Sequence, residues 1–326
     1  MSLLSYFSLA TTLVLSVVLL WRENVWEFRD RLRYILWYGS SWIMHRCIDP
    51  LFTFGQPEAW LAPFPPMDEM FPAHTHLEKE WKTIKDEVLG LIQTPMLRPI
   101  DVISPTLTRW ISKAMTDATA KTGQAVAKDG QWKSVLLRCY GQDFPQALNV
   151  CPKLTQLLNQ FPEIKFCMVS LLEPHSCIPA HRGPSSAVMR YHLSLVVPGF
   201  SLEEGKRLPD QDPDKCKVTV GEDQTRHVGI DAGGFLPGTA AQRQWVTQEH
   251  SWSPGRGLLF SDVFLHSVRN NTDERRVVLL LDVARPLPLG WSWSIGSLLS
   301  RLLDKVGFHK AIFLLNGVQE VSRSTT

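Results

Sequence analysis

Several residues in the second half of this 326-residue chain have the side chains needed to hold a metal ion and an organic anion together. His181 stands before a β-like run at residues 188–197, and His266 follows another at 257–262. Such run edges line the mouth of a barrel or sandwich. Imidazole is a good ligand for iron(II), and a two-histidine site with open positions can take a bidentate co-substrate and still admit oxygen. Arg190 and His192 lie two apart on one run, with Ser194 two further on, so all three share a strand face. Burying a guanidinium without an anion is costly. Arg276 poses the same problem, because it opens the apolar stretch Val277-Val278-Leu279-Leu280-Leu281, and its fork geometry suits a carboxylate. Two readings stay open on these residues alone. Either a dicarboxylate chelated to a metal answers the arginines, or Asp262 and Asp282 do so in a salt-bridged interior.

The elements that must position these residues are mostly strands. From residue 163, Ile164, Phe166, Met168 and Ser170 alternate with Lys165, Cys167, Val169 and Leu171, and residues 188–197 repeat the habit. Further β-like runs at 216–220, 257–260 and 276–283 are separated by Gly, Pro, Asp and Asn. Many short strands at this spacing predict a mainly β sandwich, jelly roll or barrel. Upstream, Thr75-His76-Leu77-Glu78 reads as a capping box opening one amphipathic helix with Leu77, Trp81, Ile84, Val88 and Leu91 on its apolar stripe. The proline-rich stretch at 54–72 reads as an extended linker or wrap.

The ends suggest a membrane. Residues 3–21 are almost uncharged and rich in Leu, Val and Ala, close to the length of a spanning helix. No Lys or Arg precedes this run, which favours an anchor over a cleaved signal peptide. Arg22, Arg29, Arg31 and Arg33 follow it and predict a cytoplasmic body for a single-pass protein. The sequon Asn270-Asn271-Thr272 agrees, because a glycan beside His266 would obstruct the site. The aromatic segment 25–42 suits an interfacial helix or a core helix. The segment 290–315, with Trp291, Trp293 and interspersed basic residues, suits either a membrane-surface helix or packing on the domain. With 34 Lys+Arg against 32 Asp+Glu, the formal charge of +2 gives no field to attract nucleic acid, and no nucleic-acid motif is present. The cysteines form no CxxC pair and read as buried free thiols.

Two stretches make the pattern recognisable. His181-Arg182-Gly183-Pro184 followed by Arg190-Tyr191-His192-Leu193-Ser194-Leu195, and Trp252 to Gly257 followed by Phe260-Ser261-Asp262, His266, Arg276 and Asp282-Val283-Ala284-Arg285-Pro286, resemble the aspartyl/asparaginyl β-hydroxylase family of 2-oxoglutarate oxygenases. The layout is closest to the bacterial lipid A hydroxylases of that family. The resemblance implies a double-stranded β-helix (jelly roll, cupin-like) with flanking helices and an N-terminal transmembrane helix. It implies that His181 and His266 bind iron(II), that Ser170 and Arg276 hold 2-oxoglutarate, that Arg190 and His192 complete the pocket, and that Asp262 lies behind it. The chain departs from the lipid hydroxylase pattern at Gly183, where those relatives carry an acidic ligand, and in a long insertion at 200–245. Water, or Glu173, would take the vacant position.

These readings divide the chain into an anchor at 1–21, a membrane-proximal helix and linker at 22–66, a dioxygenase domain at 67–288 and an amphipathic tail at 289–326. The expected reaction consumes 2-oxoglutarate and O2 and hydroxylates a C–H bond of a lipid acyl chain or of a peptidyl Asp or Asn. A catalytically inactive membrane scaffold is the alternative.

Overall fold

Alternation at every second residue gives a strand two chemically distinct faces, and a protein that buries both needs a layer on each side. The computed structural model describes residue 53 and residues 56–100, 131–139, 142–181, 186–208, 215–220, 248–264 and 266–286. The expected anchor, the segment 25–42, the tail, Gly183 and most of the 200–245 insertion lie outside the described residues. Among the described residues no helix is long and apolar enough to cross a membrane.

The strands are β1 (Arg98–Pro99), β2 (Trp132–Cys139), β3 (Gln142–Asp143), β4 (Ile164–Leu172), β5 (Ser176–His181), β6 (Val188–Val196), β7 (Cys216–Val220), β8 (Gln248–Ser251), β9 (Gly257–Phe260), β10 (His266–Asn270) and β11 (Arg276–Ala284). One sheet runs β1-β2-β4-β11-β6-β9, with β3 beside β2, and the other runs β5-β10-β7-β8. The antiparallel pairs nest: β4 with β11, β5 with β10, β6 with β9 and β7 with β8. A long hairpin rolled up in this way is a jelly roll, which narrows the three architectures expected from the sequence to one.

Cys167, Val169, Leu171, Tyr191, Leu193, Val277, Leu279 and Leu281 face the helices, whereas Met168, Leu172, Leu258, Phe260, Val278 and Leu280 meet Ile178, Val218, Val220 and Val268 of the second sheet. Strict alternation fails at bulges, one of them in β4. Phe166 pairs with Asp282 but Ile164 pairs with Val283, so Lys165 is a bulge and Ile164 turns to the helix side.

The helices are α1 (Met67–Met70), α2 (His74–Lys79), α3 (Trp81–Leu91), α4 (Pro145–Leu148) and α5 (Pro152–Gln160). The single capped helix expected at Thr75 is two helices that meet at Glu80, and no side chain caps α2. Thr75 Oγ1 instead donates to the Pro72 carbonyl at 3.0 Å. Glu78 accepts the Gly257 N–H at 3.0 Å, fastening the start of β9 to α2. Leu77, Ile84, Val88 and Leu91 are buried as the periodicity requires. The orphan amides that open α5 are met from α3, where Glu87 accepts the N–H groups of Lys153 and Leu154 at 2.7 and 3.1 Å.

Part of the expected linker belongs to the folded unit. A 3-10 turn at Glu58–Leu61 is held by Arg285, whose Nη1 donates to the Trp60 carbonyl at 2.6 Å. The Pro63 carbonyl accepts the Ser261 N–H at 2.8 Å. Gln56 Nε2 donates to Pro286 O at 2.7 Å. Cys139, Cys151, Cys167 and Cys216 are buried free thiols, as expected, and Cys177 is half-buried. Burial pushes Cys139 and Cys151 up to about 12 and Cys216 to about 11, so these thiols stay protonated.

Candidate active site

The site is built from the inner faces of the two sheets. On the first sheet a row crosses Ser134, Ser170, Val278 and Ser194, and neighbouring positions of that face hold Arg276 and His192. On the second sheet β10 begins with His266, whose backbone partner on β5 is His181. Val268 pairs with Ile178, so β5 spends three residues where β10 spends two. That bulge, at Pro179-Ala180, brings the backbone of His181 rather than of Ala180 opposite His266. The histidines expected as a ligand pair, 85 residues apart in sequence (266 minus 181), are therefore cross-strand neighbours.

His266 is buried, and its Nδ1 lies 2.9 Å from the Phe264 carbonyl. A carbonyl only accepts, so Nδ1 carries the proton and Nε2 carries the lone pair that a metal requires. Phe260 packs edge-on against both His266 and His192, at 5.3 and 5.1 Å between ring centroids. His192 is stacked on Trp252 at 6.1 Å, and both its ring nitrogens are buried without a hydrogen-bond partner. Burial first, then the Arg276, Arg190 and His250 charges, hold His192 well below the usual histidine range, so it is neutral at physiological pH.

The two arginines separate. Arg190 Nε lies 3.0 Å from Asp282 Oδ1 and its Nη2 3.1 Å from Asp262 Oδ2, with Asp262 fully buried. For this residue the salt-bridged interior is the observed arrangement. The unmet charge that pointed Arg190 towards a co-substrate is absent, because the chain supplies both anions. Arg276 is only 1% exposed and has no carboxylate partner among the described residues. Its Nη2 donates to Ser170 Oγ at 3.3 Å, its Cζ lies 4.6 Å from the Trp252 ring centroid, and Nε and Nη1 have no hydrogen-bond partner. Burial draws it down from 12.5 to about 10, which leaves it charged. Trp132 Nε1 also donates to Ser170 Oγ at 3.0 Å, so that hydroxyl accepts two donors and keeps its own proton for a third group.

Donors without acceptors therefore converge on one wall. Arg276 Nε and Nη1, Trp252 Nε1, and the Ser134 and Ser194 hydroxyls are all buried and unpartnered. Buried polar atoms are ordinarily satisfied, and such a group of donors fits a carboxylate-bearing ligand. With a cross-strand histidine pair on the facing sheet, the residues fit a metal chelated by that ligand. Among the described residues no group of three His, Cys, Asp or Glu side chains gathers around a common point. Glu173, considered as a replacement ligand, pairs with Lys133 at 2.7 Å. Lys133 is in register with Leu171 on the helix face of the sheet, away from the site.

The strands bearing Ser134 and Trp132, and the role of Trp252, were not evident from the sequence. Trp132 and Ser134 belong to β2, whose run Lys133-Ser134-Val135-Leu136-Leu137-Arg138 alternates weakly and carries a register shift between Leu136 and Arg138. His175 pairs with Asp273 at 2.7 Å on the surface.

A two-sheet jelly roll that buries His266, in register with His181, and a guanidinium with no carboxylate partner among the described residues is the class of protein that fold and site define together. The chain belongs to the aspartyl/asparaginyl β-hydroxylase family, whose model matches residues 78–229 and 227–286. It is similar to the ornithine lipid ester-linked acyl 2-hydroxylase of Rhizobium tropici, with 27% identity over 217 residues covering 67% of this chain and 59% of that protein. It is also similar to the human aspartyl/asparaginyl beta-hydroxylase, with 23% identity over 217 residues, 64% of this chain and 21% of that protein. Human aspartate beta-hydroxylase domain-containing protein 2 is 24% identical over 169 residues, 48% of this chain and 34% of that protein. The chain thus spans less than two thirds of the length of each of these relatives.

Proposed function

We propose that this chain is an iron(II)- and 2-oxoglutarate-dependent dioxygenase, anchored to a membrane by residues 3–21, that hydroxylates a C–H bond in the acyl chain of a lipid. The single observation that carries the reading is Arg276, a buried guanidinium with two unpartnered N–H groups on the sheet facing the His181–His266 strand pair. His181 and His266 would hold the metal, and Arg276 with Ser170 would grip the far carboxylate of 2-oxoglutarate. With iron(II) and 2-oxoglutarate bound, the site supplies oxidation: one O2 and one 2-oxoglutarate yield succinate, CO2 and one C–H bond converted to C–OH.

What this chain's own residues do follows from their surroundings. The Phe264 carbonyl fixes the His266 tautomer. Trp252 backs the guanidinium, and the aromatic set Trp252, Phe260 and neutral His192 keeps the cavity wall dry, which strengthens the grip of Arg276 on an anion. Arg190, Asp262 and Asp282 tie β6, β9 and β11 together behind that wall. An inactive scaffold gives no reason to retain buried donors without acceptors.

A lipid substrate is favoured because, over 217 residues in each case, the bacterial acyl hydroxylase is 27% identical and the human aspartyl/asparaginyl hydroxylase 23%. The arginines after residue 21 support a cytoplasmic catalytic domain. The test is succinate release by the purified full chain with iron(II) and 2-oxoglutarate, run against lipid and peptide pools. Succinate formed with a lipid pool alone is expected. Formation with a peptide pool alone would move the substrate to an Asp or Asn side chain, and release no greater than that of His266→Ala with every pool would sink the enzymatic reading.

A further inference from the structure

The edge strand β8 carries inward-facing polar residues that the site described above does not use. Its register with β7 pairs Gln248 with Val220 and His250 with Val218, and both valines are fully buried between the sheets. Directly paired residues share a face, so Gln248 and His250 point the same way as that core, while both are exposed at the sheet's outer edge. The row extends across the sheet, because Val220 is in turn paired with His266 and His266 with His181. Adjacent strands lie about 4.8 Å apart, so Gln248 stands roughly 10 Å from His266 along the same inner row. The His250 ring reaches towards the first sheet's flank, 6.4 Å from that of Phe64. Phe64 is held there because the preceding Pro63 carbonyl bonds Ser261 at the end of β9.

This wall has a definite chemistry. Partial desolvation of a ring that stays exposed at the edge lowers His250 and leaves it neutral at physiological pH, and Gln248 has no charge. The cation and anion of this strand pair, Lys217 and Glu249, bond each other on the opposite face. A neutral amide and a neutral imidazole recognise a dipole rather than an ion, and Phe64 beside them offers an apolar surface.

We propose that Gln248 and His250 are specificity-determining residues that hydrogen-bond the carbonyl of an acyl ester while Phe64 packs on its chain, setting which carbon reaches the metal side of the cavity. The inference rests on the lipid reading given above and names the group by which that substrate is oriented.

The experiment compares two probes on the full chain in the presence of 2-oxoglutarate, by calorimetry below the micellar concentration. One is dioctanoyl phosphatidylcholine, and the other its ether-linked analogue, which lacks only the carbonyls. The wild type is expected to prefer the ester by about tenfold, the worth of one or two net hydrogen bonds. Gln248→Leu and His250→Phe should each reduce that ratio, and the double variant should abolish it. Glu249→Gln, on the other face of the strand, should keep it. A structural defect weakens both probes alike and leaves the ratio unchanged, so a retained preference in the double variant overturns the proposal. Equal binding of the probes by the wild type, or binding of neither, overturns it as well. Succinate release reports separately on the enzymatic reading, so the two can fail independently.

Discussion

Arg276 lies with its guanidinium carbon 4.6 Å from the ring centre of Trp252, a cation set on an aromatic face with no carboxylate partner among the described residues. The ring recovers part of the desolvation cost, on the order of 1–2 kcal/mol, and leaves the rest unmet. Arg276→Met should therefore act with opposite sign on two properties. Without ligand the variant is expected to be more stable than the wild type, by about 1–3 kcal/mol in urea unfolding. Its affinity for 2-oxoglutarate should fall on the order of a hundredfold, because the co-substrate's carboxylate loses its buried partner. A variant destabilised in the absence of ligand would mean that the guanidinium already has an internal partner.

Arg190 gives the contrasting case. It is clamped by Asp262 and Asp282, both buried, and removing the cation leaves two carboxylates without their main counter-charge. Arg190→Met should cost about 3–5 kcal/mol of stability in urea unfolding, with or without 2-oxoglutarate. If stability held and only co-substrate affinity fell, Arg190 would be a binding residue as the family resemblance implies.

Much of this was legible in the sequence, for a physical reason. Period-two alternation exposed β4 and β6 because their two faces meet different layers, and β-like runs bounded by turn residues exposed β7, β9 and β11; β4, β6 and β11 carry Ser170, Arg190, His192 and Arg276. The second sheet was harder to read. Strand β5 contains Pro179 and a bulge, β8 is an exposed edge, and β10 alternates buried Val268 with exposed Arg269 over only five residues. His181 and His266 could thus be picked out by type, whereas their cross-strand pairing depends on a bulge that periodicity does not encode. The same limit hid the fate of the arginines, because which of them meets Asp262 and Asp282 is a matter of register: Asp282 stands directly opposite Arg190, six residues along β11 from Arg276.

The sequon at Asn270 carries no information on membrane orientation, because the residue is fully buried and structural. Its Nδ2 donates to the carbonyls of Leu172, Glu173 and Glu274, and its Oδ1 accepts the Thr272 hydroxyl at 2.6 Å. Asn270→Ala should cost about 2–4 kcal/mol, since it leaves several backbone carbonyls unsatisfied in the turn between β10 and β11. Folded protein recovered from a secretory expression route should show no mass change on glycosidase treatment.

The neutral state of His192 gives the fold an acid limit. Its ring is buried between Trp252 and Phe260, and burial followed by the Arg276 and Arg190 charges holds it well below 6.5. Above 6.5 the imidazole is neutral both folded and unfolded and has no effect on stability. As pH falls through 6.5 the unfolded chain takes up a proton that the folded chain does not, so stability is lost progressively until the lower folded value is passed. His192→Phe should flatten that part of the stability–pH curve, measured by urea unfolding at successive pH values between neutrality and mild acid. Binding of 2-oxoglutarate beside Arg276 would cancel part of the positive field at His192 and raise its folded pKa, so the co-substrate should also shrink the acid-side loss in the wild type. A curve that is identical in wild type and His192→Phe would show that the acid sensitivity comes from other groups.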